Sequence, residues 1–106
     1  MTMSGVIHTS CPDPAAASER AIRAAYAAEG LSPYAWGNGP GDRYGVHSHA
    51  THKVLYCLQG SITFTLGPGE RSVTLHPGDR LDLPAGTPHG AIVGPDGVTC
   101  LEAHRR

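Results

Sequence analysis

Turn-forming residues interrupt this sequence so often that only short elements can form between them. Glycine contributes 14 and proline 9 of the 106 residues, and beyond position 36 they cluster at intervals of about ten residues. Segments of mixed apolar and polar residues between such clusters are typical of short strands in a β-sandwich or barrel. The sequence therefore predicts one all-β domain over residues 31–106. The turn clusters lie at 37–42, 67–70, 76–79, 84–88 and 94–97.

The segments between these clusters predict seven or eight strands. Gln59-Gly60 is a two-residue link of the kind found in tight hairpins, so we expect it to separate two strands. The glycine- and proline-rich residues 94–97 are likewise expected to divide two strands near the end of the chain. The predicted strands are 34–36, 44–49, 52–58, 61–66, 72–75, 80–83, 89–93 and 98–103.

The first thirty residues follow a different pattern. Residues 1–12 are expected to form a flexible arm. Asp13-Pro14 is typical of a helix N-terminus, and Gly30 is typical of the residue that follows a helix. The Ala-rich stretch between them places Ile22 and Tyr26 on one face. We therefore predict a helix over residues 13–30 whose apolar face covers one mouth of the barrel or a neighbouring subunit.

Charge and composition argue against several classes of function. The formal net charge is −1 and Lys and Arg form no run, so the chain offers nothing to hold nucleic acid or an anionic membrane. The three cysteines are an odd number without close pairing, which argues against a disulfide framework or a zinc ribbon. No apolar stretch reaches the length of a membrane span, and residues 1–10 do not resemble a signal peptide. We therefore expect a soluble cytoplasmic protein.

Three of the seven histidines are placed so that they can converge on one point. His47 and His49 are two positions apart, so both imidazoles point to the same face of a predicted strand. His89 begins a later strand directly after a turn rich in proline and glycine, where a barrel can bring it opposite that pair. In this arrangement the three imidazoles can converge on one metal ion.

Two stretches around these histidines resemble the motifs of the cupin superfamily. Residues 45–60 are similar to the first motif, in which a glycine and HxH precede an acidic position and a further glycine. Residues 78–89 match the second motif, G-x5-P-x-G-x2-H, at every fixed position up to its histidine. The resemblance implies a double-stranded β-helix of jelly-roll type with a divalent metal held inside by His47, His49 and His89. It also implies a homodimer.

Two positions depart from the cupin pattern. The acidic position of the first motif is Lys53, and the asparagine that often closes the second motif is Val93. Lys53 shares the parity of His47 and His49, so an inward Lys53 must be neutral, salt-bridged or directed at an anionic ligand. His52 becomes a fourth metal ligand only if a bulge after His49 turns its ring inward. Without a bulge, it faces the other side of the sheet.

An all-histidine site suits Fe, Mn, Ni, Cu or Zn, and three neutral ligands leave coordination positions for water, substrate or dioxygen. Without a carboxylate the complex is more positive, which favours a small anionic substrate. We therefore expect a metal-dependent enzyme, with an oxygenase favoured over an isomerase or a lyase, in which Lys53 and Tyr56 are the candidate catalytic residues. The alternatives are a non-catalytic cupin that binds or senses a small molecule, and a structural barrel without metal.

Overall fold

Two long antiparallel strands form the centre of the structure. The computed structural model describes residues 5–67 and 71–105. The central strands are the fourth and the seventh in the chain, and they pair along almost their whole length. The elements in chain order are β1 (Ile7–Thr9), a 3-10 helix (Pro14–Ala17), α1 (Glu19–Ala28), β2 (Tyr34–Asn38), β3 (Arg43–His47), β4 (His52–Leu66), β5 (Arg71–Leu75), β6 (Arg80–Leu83) and β7 (His89–Arg105).

Each half of β4 and of β7 has a different outer neighbour. The N-terminal half of β4 pairs with β6, which in turn pairs with β1, whereas its C-terminal half pairs with β5. The C-terminal half of β7 pairs with β2 and its N-terminal half with β3. The chain therefore folds into two layers, β1-β6-β4-β7-β2 and β5-β4-β7-β3, and the all-β jelly-roll prediction is confirmed.

Apolar side chains fill the space between the two layers and also cover one outer face. The inner core combines residues of both layers, for example Leu55 and Leu81 from one and Phe64 from the other. On the outer face, Ile22 and Tyr26 of α1 form a second apolar cluster with residues of β4 and β7. The apolar face of α1 thus covers the sheet and not a mouth of the barrel.

Two turn predictions are wrong because the glycines form bulges within continuous strands. Gln59-Gly60 makes no hairpin; β4 continues through it, and its register with β7 shifts there. Residues 94–97 likewise stay within β7, where they lie opposite Ser61 alone. Gly60 has a φ of +74°, and a Cβ there would overlap the carbonyl oxygen of Gly97. The glycine thus allows two strands to approach closely at a bulge.

The N-terminal region also differs from its prediction. The helix predicted over residues 13–30 is divided in two, because Ser18 has an extended backbone and its hydroxyl caps the start of α1. Asp13 caps the preceding 3-10 helix, as its sequence position indicates. Residues 7–9 of the predicted arm form β1, and residues 1–4 lie outside the described residues. Of the predicted turn at 67–70, only Gly67 is described.

Gly60→Ala is expected to destabilise the fold far more than Gly41→Ala. Both glycines have a φ of +74°, so alanine costs about 1 kcal/mol of backbone strain at either position. A Cβ at Gly41 meets nothing within 4 Å, whereas the overlap at Gly60 adds about 1–3 kcal/mol. Urea unfolding measures both losses, and equal losses would contradict the close approach of β4 and β7.

Candidate metal centre and its cavity

A cavity of about 460 Å³ lies between the two layers. Apolar side chains such as Leu55, Phe64 and Leu83 form one part of its wall. Histidines, Lys53 and Glu102 form the other part. The volume and the few convergent polar groups are typical of a site for a small organic molecule.

Three histidines meet in this cavity. His47, His49 and His89 each offer a ring nitrogen within 4.8 Å of the other two. His47 ends β3 and lies opposite His89, the first residue of β7, in the ladder between these strands. His49 lies in the connection to β4, because the strand predicted over 44–49 ends at residue 47. The ring centroids are 4.5 to 5.2 Å apart, so the three rings are close enough to share one ion.

Backbone carbonyls define the tautomers of two of these rings. The Nδ1 atom of His47 lies 2.7 Å from the carbonyl oxygen of Gly45, and that of His89 lies 2.8 Å from the carbonyl oxygen of Thr87. A carbonyl oxygen only accepts, so both Nδ1 atoms carry the proton. The lone pair of each neutral ring is then on Nε2, as metal coordination through that atom requires.

The surroundings keep two of the histidines neutral. Burial is the largest cause that lowers the pKa of His49 and of His89. The positive charge of the nearby Lys53 lowers the pKa of both further, as do the neighbouring imidazoles. A histidine with a lowered pKa stays neutral at pH 7, which is the form that binds a metal.

Glu102, which the sequence analysis does not single out, is the buried carboxylate of the cavity wall. Its side chain accepts hydrogen bonds from Tyr34 Oη at 2.6 Å, Lys53 Nζ at 2.9 Å, His104 Nε2 at 2.9 Å and Trp36 Nε1 at 3.0 Å. Burial raises the pKa of Glu102, but the hydrogen bonds from Tyr34, Lys53 and His104 outweigh it and hold the pKa below its ordinary value. Glu102 is therefore ionised at neutral pH.

Lys53 points into the cavity, in agreement with its parity in the sequence. Of the three states left open for an inward lysine, the structure shows the salt bridge. The ammonium and the Glu102 carboxylate are 14% and 5% exposed, so both charges are largely withdrawn from water. Such a pair must stay intact, because either charge alone would be costly at this depth.

The other two residues singled out from the sequence lie outside the cavity lining. The ring of His52 lies on the opposite side of the sheet, where its Nε2 is 3.4 Å from Asp82 Oδ1. Tyr56 packs beneath α1, with its ring centroid 5.2 Å from that of Tyr26 and near Arg80. The structure thus brings together His47, His49, His89 and Lys53, but not His52 or Tyr56.

Three imidazoles that converge inside a jelly-roll barrel form a group that could hold a metal ion. The sequence profile of the family described as "Cupin domain" matches residues 38–101. The chain therefore belongs to the cupin family. No curated protein matches the sequence significantly. Within the described residues, no helix is long and apolar enough to cross a membrane.

Solved structures share this fold. DMSP lyase DddQ from Ruegeria pomeroyi DSS-3 is 26% identical with a TM-score of 0.64, and the match covers 72% of this chain. A chain from the crystal structures of the DMSP lyases RdDddP and RnDddQII is 28% identical with a TM-score of 0.65, over the same share of this chain. Only 38% of each lyase chain is covered.

A variant of Bacillus subtilis oxalate decarboxylase is 25% identical with a TM-score of 0.61. The match covers 70% of this chain and 20% of that one. The Bacillus subtilis oxalate decarboxylase contains Mn(II) centres. The present chain is thus similar to a part of each of these longer proteins.

Glu102→Gln is expected to destabilise the fold by about 3 kcal/mol at pH 7, because it leaves the Lys53 ammonium buried and unpaired. Since the pKa of Glu102 is below its ordinary value of 4.5, the carboxylate stabilises the fold above pH 4.5. That stabilisation is lost as the pH falls through the lowered pKa. Urea unfolding from pH 7 to about pH 3 measures both effects.

The matched control for this variant is Glu19→Gln. The Glu19 carboxylate is the exposed partner of Arg23 on α1, so its loss is expected to cost less than about 0.5 kcal/mol. Glu102→Gln and Glu19→Gln variants of equal stability at pH 7 would contradict the structural importance of the buried carboxylate.

Proposed function

We propose that this chain is a metal-dependent cupin that holds a divalent transition metal through His47, His49 and His89 and cleaves a small organic anion in a lyase-type reaction. The observation that carries the proposal is the convergence of three imidazoles in one cavity. A set of neutral nitrogen donors suits Mn, Fe, Ni, Cu or Zn better than Mg or Ca. The hydrogen bonds at Nδ1 support coordination through Nε2 at His47 and His89.

The charges of the cavity favour an anionic substrate. Three neutral histidines leave the charge of a divalent metal uncompensated, and the Lys53 ammonium is neutralised by Glu102. An occupied site therefore has a net positive charge, which an anion binds best. When bound, the metal polarises a substrate oxygen and makes a coordinated water more acidic.

The chain's own residues bind and orient the substrate. Lys53 keeps two of its three ammonium hydrogens free of Glu102 and can donate them to an anionic oxygen. Burial, with the neighbouring Glu102, raises the pKa of Tyr34 to about 12, so its hydroxyl stays protonated at neutral pH and keeps Glu102 in place through its hydrogen bond. The apolar wall around Leu55 and Phe64 excludes water from the bound molecule.

The neighbours with named activities favour one reaction class. Lyases and decarboxylases cleave a bond in an organic substrate, and both are among the similar structures. The activities of these similar proteins support a lyase-type reaction for this chain over the oxygenase reaction that the sequence favours. A non-catalytic cupin that binds a small molecule is the second candidate function. Lys53 favours this alternative, because it stands where the first cupin motif has an acidic residue.

The test uses cobalt(II), whose visible absorption reports its ligands. Cobalt-loaded wild-type protein is mixed with small mono- and dicarboxylates and with their neutral amides, while product formation is followed by NMR. We expect carboxylates, but not amides, to change the cobalt spectrum, and at least one carboxylate to be cleaved. Stronger binding of the amides would contradict an anionic substrate, and binding without product would favour the non-catalytic candidate.

Two histidine variants serve as a matched pair in this experiment. His89→Ala removes a proposed ligand and is expected to weaken cobalt binding by more than about 100-fold, together with any turnover. His52→Ala removes a ring on the opposite side of the sheet and is expected to leave cobalt affinity unchanged. Undiminished cobalt binding in the His89→Ala variant would overturn the proposed site.

A further inference from the structure

Cys57 and Cys100 face each other across the central ladder. They form a direct pair in the register of β4 and β7. Both side chains belong to the inner core, both residues are fully buried, and both thiols are free. The two strands thus present a pair of thiols on the inside of the barrel.

The backbone places this pair at the separation that a disulfide needs. Directly opposed residues of an antiparallel ladder have Cα atoms about 4.5 to 5.5 Å apart. Disulfides span Cα separations of about 4.4 to 6.8 Å. The register of β4 shifts immediately after Cys57, and such a bulge lets the strand adjust locally. The Cα separation of an opposed ladder pair therefore lies within the range that a disulfide spans.

The two thiols also differ in the direction in which their pKa is shifted. The interaction with the Cys100 thiol lowers the pKa of Cys57, and the same interaction, together with burial, raises the pKa of Cys100. The Cys57 thiol donates to the carbonyl oxygen of Gln59 at 3.5 Å. Cys57 is thus the thiol of the pair that loses its proton more readily.

The pair lies next to the cavity. Leu55 and Glu102, which line it, form the ladder pair two residues away and point to the same side of the sheet as the thiols. Ile62 belongs both to the cavity lining and to the core cluster that contains the two cysteines. A small oxidant in the cavity therefore has a short path to the thiols.

We infer that Cys57 and Cys100 are an oxidation site, at which a peroxide converts the folded protein to a form with a cross-strand disulfide. The Cys57 sulfur attacks one peroxide oxygen, the O–O bond breaks, and the other oxygen leaves as water with the thiol proton. The sulfur of Cys100 then displaces the hydroxyl from the resulting sulfenic acid, and a second water forms. The two thiols lose two electrons in total, and one hydrogen peroxide takes them up.

The remaining cysteine provides an internal control. Cys11 lies in the N-terminal segment, is only half-buried, and its thiol donates to the carbonyl oxygen of Asp13 at 3.0 Å. It pairs with neither of the other cysteines in the ladder. Exposure alone predicts that peroxide oxidises Cys11 first, whereas the geometry predicts a bond between the two buried cysteines.

The experiment exposes the folded 106-residue chain to hydrogen peroxide. Catalase then removes the peroxide, and the protein is unfolded and alkylated before mass spectrometry. The Cys11→Ser variant is expected to lose about 2 Da, the mass of two thiol hydrogens, and to take up no alkyl group. In wild type, a peptide pair joined through Cys57 and Cys100 is expected, and a thiol reductant reverses it.

Cys57→Ala and Cys100→Ala variants are expected to form no intramolecular disulfide. If either variant does not fold, the peptide map of the wild-type and Cys11→Ser proteins decides the question without it. Two alkylated thiols in peroxide-treated Cys11→Ser protein would overturn the inference. A wild-type disulfide that contains Cys11 would overturn it as well.

Discussion

The antiparallel ladder between β4 and β7 is the interaction on which the rest of the structure depends. Because residues alternate between the two sides of each strand, its outer side receives Ile22 and Tyr26 of α1, and its inner side bounds the core and the cavity. The bulge at Gly60 brings both long strands from one layer into the other. The start of β7 then places His89 opposite His47.

The pair of Lys53 and Glu102 distinguishes this cavity from the pattern of the first cupin motif. A lysine stands at the acidic position, and the carboxylate comes instead from the neighbouring strand. The carboxylate accepts four hydrogen bonds, so it fixes Lys53, Tyr34 and Trp36 in the wall. The cavity thus has a paired lysine and glutamate, whose charges cancel, beside its three histidines.

Short-range patterns in the sequence predict much of the site. Strand parity correctly places Lys53 inward, whereas Tyr56, which was expected among the catalytic residues, packs beneath α1 on the opposite side of the sheet. The spacing of His47 and His49 and the turn before His89 predict the convergence that the structure shows. Asp13, the N-cap of the 3-10 helix, and Gly30, which follows the C-cap Glu29 with a φ of +72°, also mark the ends of the helical region.

Pairings between distant segments account for what the sequence could not predict. A glycine such as Gly60 with positive φ suits a hairpin or a bulge equally, and only the partner strand decides between them. The function of Glu102 depends on Lys53 and Tyr34, which are far away in sequence. A single acidic residue in the apolar run at 98–103 is the one local signal that could have indicated it.

The central claim is that His47, His49 and His89 hold a metal, and elemental analysis tests it most directly. Untagged protein is purified without chelators, because a histidine tag would itself bind metal, and its metal content is measured by plasma mass spectrometry. About one equivalent of Mn, Fe, Ni, Cu or Zn per chain is expected. Protein that contains no metal, and takes up none on reconstitution, would contradict it.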